Sequence, residues 1–377
     1  MATGEWNCSA SICVDMSGSL SYSQQKEHPM VLPRILGLGT ANPPQRYSQR
    51  EIYDFAARHV PTYRHPRIEH IFMSSDIEYR HLAFDLATLD PNETADAMHA
   101  RFAKHSVRIS IEAIERCLAA SSLTPQDIDY IVAVSCTGYL CPGLSALLIK
   151  QMRMRTDVQR ADLIGMGCAG AMPGLQRAFD FVHAYPQKKA LVITVEICSA
   201  CYYVDDTLET VVGNAICADG AAAVVVGTHP AGSGPSLKRF ATLLEPAFID
   251  TVGFQFKSGK LRIVLSKDIR NSAGGLAKRI VEDLLRSCGL SKNNIAHWIV
   301  HSGGRKVIDN IKEEIGLTES QLRNSRCVLK HFGNMSSPTV LFVLHETMRN
   351  DHPKPGDLGM MIAMGPGLAI EAALVEW

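Results

Sequence analysis

Short, nearly continuous apolar runs alternate along this chain with longer segments whose apolar residues recur at helical spacing. The runs at residues 130–135, 190–196 and 221–227 predict strands that are covered on both faces. Residues 94–121 carry the pattern of a long amphipathic helix, and residues 48–59 carry that of a helix following a serine cap. This alternation predicts an α/β architecture with its functional groups gathered at strand ends.

Two distant segments of the chain share one order of elements. Residues 94–135 predict a helix, a short polar turn, an Asp before Ile and a buried strand with a polar tip. The segment that ends at residues 290–301 repeats this order with Asn before Ile, which indicates an internal duplication. We therefore predict an N-terminal half over residues 31–235 and a C-terminal half over 236–377. The polar, serine-rich residues 1–30 are predicted to form a flexible arm.

Composition narrows the classes of function. The 38 basic residues balance the 38 acidic ones, which gives no support for a nucleic-acid partner or an anionic membrane surface. The 11 cysteines are dispersed and follow no secretory signal, as expected for a reducing cytoplasm. The apolar runs are far shorter than a membrane span, so we expect a soluble cytoplasmic protein.

Cys168 stands in a glycine-rich turn where a strand should end and a helix, predicted over residues 175–184, should follow. Unpaired N–H groups and the helix dipole at such a place favour an anion, and we expect them to lower the pKa of the thiol. Gly165, Gly167 and Gly170 let the backbone turn sharply and leave room beside the sulfur. A cysteine considered alone is more often a small buried hydrophobe.

His301 and Asn334 mark two further strand or turn tips. His301 ends the apolar run Trp-Ile-Val-His, and Asn334 lies in a turn that should open another helix. A cysteine poised as a thiolate needs a nearby cation or base, and histidine is the usual one. Each residue also has a simpler interpretation: His301 could be a structural histidine, and Asn334 could cap the helix that follows it.

The motifs around these three residues are more specific together than apart. They are Gly-x-Gly-Cys-Ala-Gly-Ala, Val-His-x-Gly-Gly and Phe-Gly-Asn-Met-Ser-Ser, with Gly-Pro-Gly-Leu-Ala-Ile-Glu near the end of the sequence. From about Ile35 onward the chain resembles the chalcone synthase-like type III polyketide synthases. The resemblance implies a thiolase-like fold, with two duplicated βαβαβ halves in an α/β/α/β/α core, and a homodimer.

The resemblance also implies a chemistry. Cys168 would attack an acyl-CoA thioester and carry the starter and the growing chain. His301 would stabilise the thiolate and, with Asn334, donate hydrogen bonds to the thioester oxygen of malonyl-CoA, where loss of carbon dioxide leaves an enolate. The substrates would be acyl-CoA and malonyl-CoA. No metal or bound cofactor is expected, since the sequence has no convincing ligand cluster for zinc.

Departures from the plant pattern bear on the substrate. Cys217 stands where a gatekeeper phenylalanine is usual, and Ile263 falls where a second one is expected. Cys141 takes the place of a methionine that reaches into the partner subunit's cavity. The full set of predicted pocket residues is Cys136, Thr137, Cys141, Cys201, Cys217, Ile263, Ser336 and Pro366.

Loss of two rings frees volume and removes stacking partners for an aromatic starter. We therefore expect a bacterial-type enzyme with a fatty acyl-CoA starter and a resorcinol or pyrone product. A small or aromatic starter is the alternative if neighbouring side chains refill the space.

Four basic residues are candidates for binding CoA. Arg305 and Lys306 follow two glycines at a predicted helix N-terminus, and Arg58 and Arg64 lie near the first predicted helix. Solvated surface charge is an equally good interpretation.

Other functions remain open at this point. The nearest is an initiating ketoacyl synthase of fatty-acid type, which condenses once. A non-catalytic scaffold of the same fold and a cysteine-rich metal protein belong to different classes.

Overall fold

The computed structural model of the chain describes residues 32–203, 205, 207–228, 234–266 and 269–377. The predicted arm at residues 1–30 lies outside them. The strands are β1 Arg34–Ala41, β2 Arg46–Ser48, β3 Tyr79–His81, β4 Tyr130–Ser135, β5 Gln159–Ile164, β6 Ala190–Ile197, β7 Asp219–Gly227, β8 Ser236–Leu244, β9 Val252–Lys257, β10 Lys260–Leu265, β11 Ile295–Val300, β12 Leu358–Gly365 and β13 Ala369–Glu376. The helices are α1 Gln49–His59, α2 Pro66–Met73, α3 Ala95–Ser121, α4 Leu144–Gln151, α5 Ala171–Ala184, α6 Leu208–Ile216, α7 Ile269–Ser287, α8 Arg305–Ile315, α9 Arg323–Phe332 and α10 Thr339–Asn350.

One sheet of nine strands forms the centre, in the order β11-β12-β13-β8-β1-β7-β6-β4-β5. β1 and β8 are antiparallel neighbours near the middle of this sheet. The strands beyond β1 and the strands beyond β8 follow the same order of antiparallel and parallel pairs. β7 and β13 are antiparallel to their inner neighbours, and the parallel pair of β4 with β6 corresponds to the parallel pair of β11 with β12. The strands matched from sequence, β4 and β11, therefore occupy equivalent places. The boundary between residues 235 and 236 stays a prediction.

Three apolar clusters divide the fold into five layers. The middle cluster joins α5 and α10 to the inner faces of both sides of the sheet. A second cluster packs α3 and α4 on the outer face of one side, and a third packs α7 and α8 on the outer face of the other. Consecutive residues of β12, Met361 and Ile362, point to opposite faces and accordingly belong to different clusters. This is the α/β/α/β/α arrangement that was expected, and it explains why the strands are apolar on both faces.

Capping side chains mark the N-termini of two helices. Ser48 caps α1 with a complete capping box, and the Thr94 side chain caps α3. The helix after Cys168 begins at Ala171, four residues before the prediction. Pro173 is accommodated in its first turn, where the missing N–H has no intrahelical partner. None of the helices in the described ranges is both long and apolar enough to cross a membrane.

Candidate active site

Cys168 lies in a short 3₁₀ turn between β5 and α5, as the sequence predicted. Two glycines with positive φ, Gly165 at +82° and Gly167 at +49°, reverse the chain before it. A Cβ on Gly167 would stand 2.3 Å from Cδ of Pro366, so the Gly-Pro-Gly turn packs directly against the cysteine turn. The predicted pocket residue Pro366 therefore holds the backbone beside the sulfur.

Asn334 lies between α9 and α10 and is fixed by its backbone. Its N–H donates to the Ile216 carbonyl at 2.8 Å, and its own carbonyl accepts from the Ala218 N–H at 2.9 Å. The side-chain Oδ1 accepts from the Ser336 N–H at 2.8 Å and lies 4.0 Å from Cys168 Sγ. The carboxamide of Asn334 thus lies beside Cys168, although the two residues are far apart in the sequence.

His301 directly follows β11, and its backbone N–H donates to the Ile362 carbonyl at 2.8 Å. The side-chain Nδ2 of Asn334 donates to the Gly303 carbonyl at 3.2 Å, two residues beyond the histidine. Both ring nitrogens of His301 are buried and have no hydrogen-bond partner among the described residues. The imidazole is therefore free to donate to, or accept from, a bound substrate.

Burial controls the ionisation of both groups. It raises the pKa of the Cys168 thiol to about 12, against the opposing effect of hydrogen bonds with Ser336 and Asn334. It lowers the pKa of His301 to about 4. The expectation of a lowered thiol pKa at the helix N-terminus is wrong for this state, because desolvation outweighs the helix dipole. Burial therefore favours the uncharged thiol of Cys168 and the uncharged imidazole of His301.

Glu196 is a site residue that the sequence reasoning missed. It is fully buried near the end of β6, and burial raises the pKa of its carboxyl. The carboxylate accepts from Thr137 Oγ1 at 2.8 Å, from the Cys136 N–H at 3.0 Å and from Ser337 Oγ at 2.6 Å. The available signal was its place as the one acidic residue in the apolar run Leu-Val-Ile-Thr-Val-Glu-Ile.

Thiols and hydroxyls surround this carboxylate. Cys136 Sγ lies 3.6 Å from Ser336 Oγ, and Cys201 Sγ donates to the Thr137 carbonyl at 3.3 Å. The thiol of Cys198, a residue not predicted, hydrogen-bonds that of Cys217 and lowers the pKa of Cys217. Most of the predicted pocket residues thus belong to one group of thiols and hydroxyls around Glu196.

Two predicted pocket residues lie differently. Ile263 on β10 is half-buried and packs against α6, where a Cβ on Gly213 would stand 2.5 Å from Ile263 Cγ2. Ile263 is therefore in close contact with α6. Cys141 is exposed on the surface of the chain.

The four candidate CoA residues fall into two separate places. Arg58 and Arg64 donate to the backbone carbonyls of Asp54 and Ala57, respectively, and line an open cleft of about 1070 Å³ beside α1. Arg305 and Lys306 begin α8, four and five residues after His301. Only the second pair is close in sequence to the catalytic candidates, and the CoA-binding role of all four stays a prediction.

Within the residues that the structure describes, no group of three or more His, Cys, Asp or Glu side chains is arranged to hold a metal ion.

Comparisons with known proteins show which families and proteins this chain resembles. Residues 86–284 match the family model "FAE1/Type III polyketide synthase-like protein", and residues 246–376 match "Chalcone and stilbene synthases, C-terminal domain". The 3,5-dihydroxyphenylacetyl-CoA synthase of Streptomyces toyocaensis is 34% identical, over 92% of this chain and 90% of the relative. The 1,3,6,8-tetrahydroxynaphthalene synthase of Streptomyces peucetius subsp. caesius is 31% identical over 91% and 93%. The crystal structure of PKS-I from the brown alga Ectocarpus siliculosus is 28% identical and covers 93% of this chain and 100% of that one, with a TM-score of 0.87.

Proposed function

Because the chain belongs to the chalcone synthase-like type III polyketide synthases, acyltransferases with a thiolase-like fold, we propose that it assembles a small resorcinol-type aromatic product from malonyl-CoA. The contact of Cys168 with Asn334, whose carboxamide also reaches the turn after His301, is the observation that carries this proposal. It brings the Cys168 thiol and the Asn334 carboxamide together, and in this proposal the His301 imidazole serves as the base.

Loading of the starter begins with the uncharged thiol of Cys168 and the uncharged imidazole of His301. As Cys168 Sγ attacks the thioester carbonyl, the His301 imidazole takes the thiol proton, and it later returns this proton to the departing CoA sulfur. Burial opposes either charge alone, but the thiolate and imidazolium form together and attract each other. Proton transfer is thus coupled to the bond-forming step.

Extension uses the same imidazole with Asn334. Both donate hydrogen bonds to the thioester oxygen of a second malonyl-CoA, which becomes the enolate oxygen when carbon dioxide leaves. The resulting carbanion attacks the acyl thioester on Cys168, and the thiolate is released. Fixed donors in a buried site stabilise the enolate more than the starting thioester, so they accelerate this step.

The surroundings of Cys168 support a small polar starter. They consist of the thiols of Cys136 and Cys217, the hydroxyl of Ser336 and the buried carboxyl of Glu196. The thiol and hydroxyl donors can hydrogen-bond the alternating carbonyls of a chain built from malonyl units, whereas an alkyl chain would gain no such bonds. The two Streptomyces relatives, named for small polyhydroxylated products, point the same way.

A fatty acyl starter, the expectation from sequence, is the second candidate. The absence of aromatic rings at Cys217 and Ile263 favours it. The close contact of Ile263 with Gly213 counts against it, because that contact leaves no gap between this side chain and α6.

We also propose a homodimer. Cys141, which the resemblance places against the partner subunit, is exposed, and so are the neighbouring large apolar side chains of Tyr139 and Ile164. An exposed apolar patch of this kind is typical of an interface. Light scattering of the purified protein should give the mass of a dimer, and a monomer mass would contradict this.

The experiment incubates purified protein with ¹³C-labelled malonyl-CoA alone and then with added hexanoyl-CoA, lauroyl-CoA or an aromatic acyl-CoA. We expect a fully labelled aromatic product from malonyl-CoA alone, with several molecules of carbon dioxide released for each product. A product that requires a fatty acyl-CoA would favour the second candidate. A single release per turnover would favour a ketoacyl synthase and contradict the proposal.

A further inference from the structure

Arg80 on β3 is a fully buried arginine that the chemistry above does not use. Its NH1 donates to the Asn214 and Cys217 carbonyls, both at 2.7 Å, and to Tyr202 Oη at 3.0 Å. Its Nε donates to Gln49 Oε1 at 3.0 Å. Every one of these acceptors is uncharged.

The charge of this guanidinium is not neutralised by contact. Across the described residues Arg80 forms no ion pair, and its NH2 is buried without any hydrogen-bond partner. The nearby Asp219 carboxylate instead accepts from the Ala83 N–H and from the Ser199 N–H and hydroxyl. Burial of a cation without an opposite charge opposes folding, because the ion loses its hydration and gains no ion pair. Such a residue suggests a function other than stability.

Arg80 holds both sides of the segment that carries Asn334. It binds the Cys217 carbonyl, and the residues on either side of Cys217 form the backbone bridge that fixes Asn334. On the other side, a Cβ on Gly333 would stand only 3.0 Å from Cγ and Cδ of Arg80. Gly333 has a φ of +71°, so this close approach and the turn into Asn334 both require glycine.

The cation also acts on the neighbouring thiol. The pKa of Cys217 is lowered, first by the hydrogen bond from Cys198 and then by the positive charge of Arg80. The titratable or charged groups that act on or respond to Cys217 are Cys168, Glu196, Cys198, Cys201, Tyr202, Asp219 and Arg80. Arg80 is the one cation in this set, so its removal should disfavour anions there.

We propose that Arg80 is a positioning residue for the decarboxylation step: it fixes the Asn334 carboxamide through the Cys217 bridge and supplies positive potential to the chamber where the enolate forms. The inference rests on the proposed function and adds a residue to it. Arg80 need not touch the substrate, because its effect passes through the Asn334 backbone and through the electrostatic potential.

The test compares Arg80→Gln with Arg326→Gln, a matched control. Arg326 is a partly buried arginine of α9 whose guanidinium binds Asp309 and Glu319, outside the site. We expect Arg80→Gln to lower kcat of malonyl-CoA decarboxylation by at least about tenfold, as for a misplaced catalytic group, with KM little changed. Acylation of Cys168 should be largely retained, and alkylation of Cys217, followed by peptide mass spectrometry, should shift to higher pH.

Three results would overturn the inference: wild-type decarboxylation in folded Arg80→Gln, an equal fall of acylation and decarboxylation, or a matching effect in Arg326→Gln. If Arg80→Gln does not fold, Arg80→Lys is measured, since an ammonium keeps the charge but cannot reach all the acceptors. It should slow decarboxylation while leaving the pH profile of Cys217 in place, and unchanged decarboxylation would again overturn the inference. A wild-type protein that does not decarboxylate malonyl-CoA would instead refute the proposed function.

Discussion

Replacement of Asn334 by alanine should separate the two halves of the reaction. One N–H of the carboxamide donates to the Gly303 carbonyl at 3.2 Å, and the second N–H of the same amide would donate to the malonyl thioester oxygen. Loss of one such donor typically lowers a rate by about 100- to 1,000-fold, or roughly 3–4 kcal/mol of transition-state stabilisation. Loading of Cys168 forms no enolate, and the 4.0 Å contact of its sulfur with Asn334 is weak, so loading should change little.

The assay measures ¹³CO₂ from labelled malonyl-CoA and, separately, acylation of Cys168 by intact-protein mass spectrometry. Asn324→Ala is the matched control, because Asn324 is also buried but donates to Thr347 and Asp351 away from the site. Both substitutions leave a buried partner unsatisfied and should lose about 1–3 kcal/mol of stability. Unchanged decarboxylation in Asn334→Ala, or an equal loss in Asn324→Ala, would refute the reasoning.

Three further substitutions test other parts of the structure. Gly167→Ala places a Cβ 2.3 Å from Pro366 at a φ of +49°, so urea denaturation should show a loss of about 2 kcal/mol or more. Gly356→Ala, at +89° with no neighbour within 4 Å, should lose only about 1 kcal/mol, and equal losses would argue against the clash. Burial raises the pKa of Glu371 from 4.5 to about 7, so stability from its neutral form is present below pH 4.5 and lost as pH rises toward 7. Glu371→Gln keeps a neutral side chain and should gain up to roughly 3 kcal/mol relative to wild type over that range, and a constant difference would contradict this. Cys217→Phe should shorten the products or the longest accepted starter, whereas an unaltered product profile would count against the pocket assignment.

Local signals in the sequence predicted the fold well. The bounds of β4 and the cap at Ser48 follow from patterns within a few residues, and the structure confirms them. The position of Cys168 between a strand and a helix was likewise predictable from its glycine-rich turn.

Features that depend on distant segments could not be predicted in the same way. The pKa of Cys168 is set by burial, which overrides the local helix effect. Glu196 is bound by groups from 59 to 141 residues away, and Arg80 by groups from 31 to 137 residues away. Their residue types gave no hint of these partners, because pairing across the fold is fixed only when the layers pack.

Acylation of Cys168 is the most direct test of the central claim that this thiol carries the chain. The protein is incubated with a CoA thioester, quenched in acid and digested, and every cysteine peptide is measured by mass spectrometry. The account predicts an acyl adduct on the Cys168 peptide that disappears in Cys168→Ala. An adduct confined to another cysteine, or an equal yield in the variant, would contradict it.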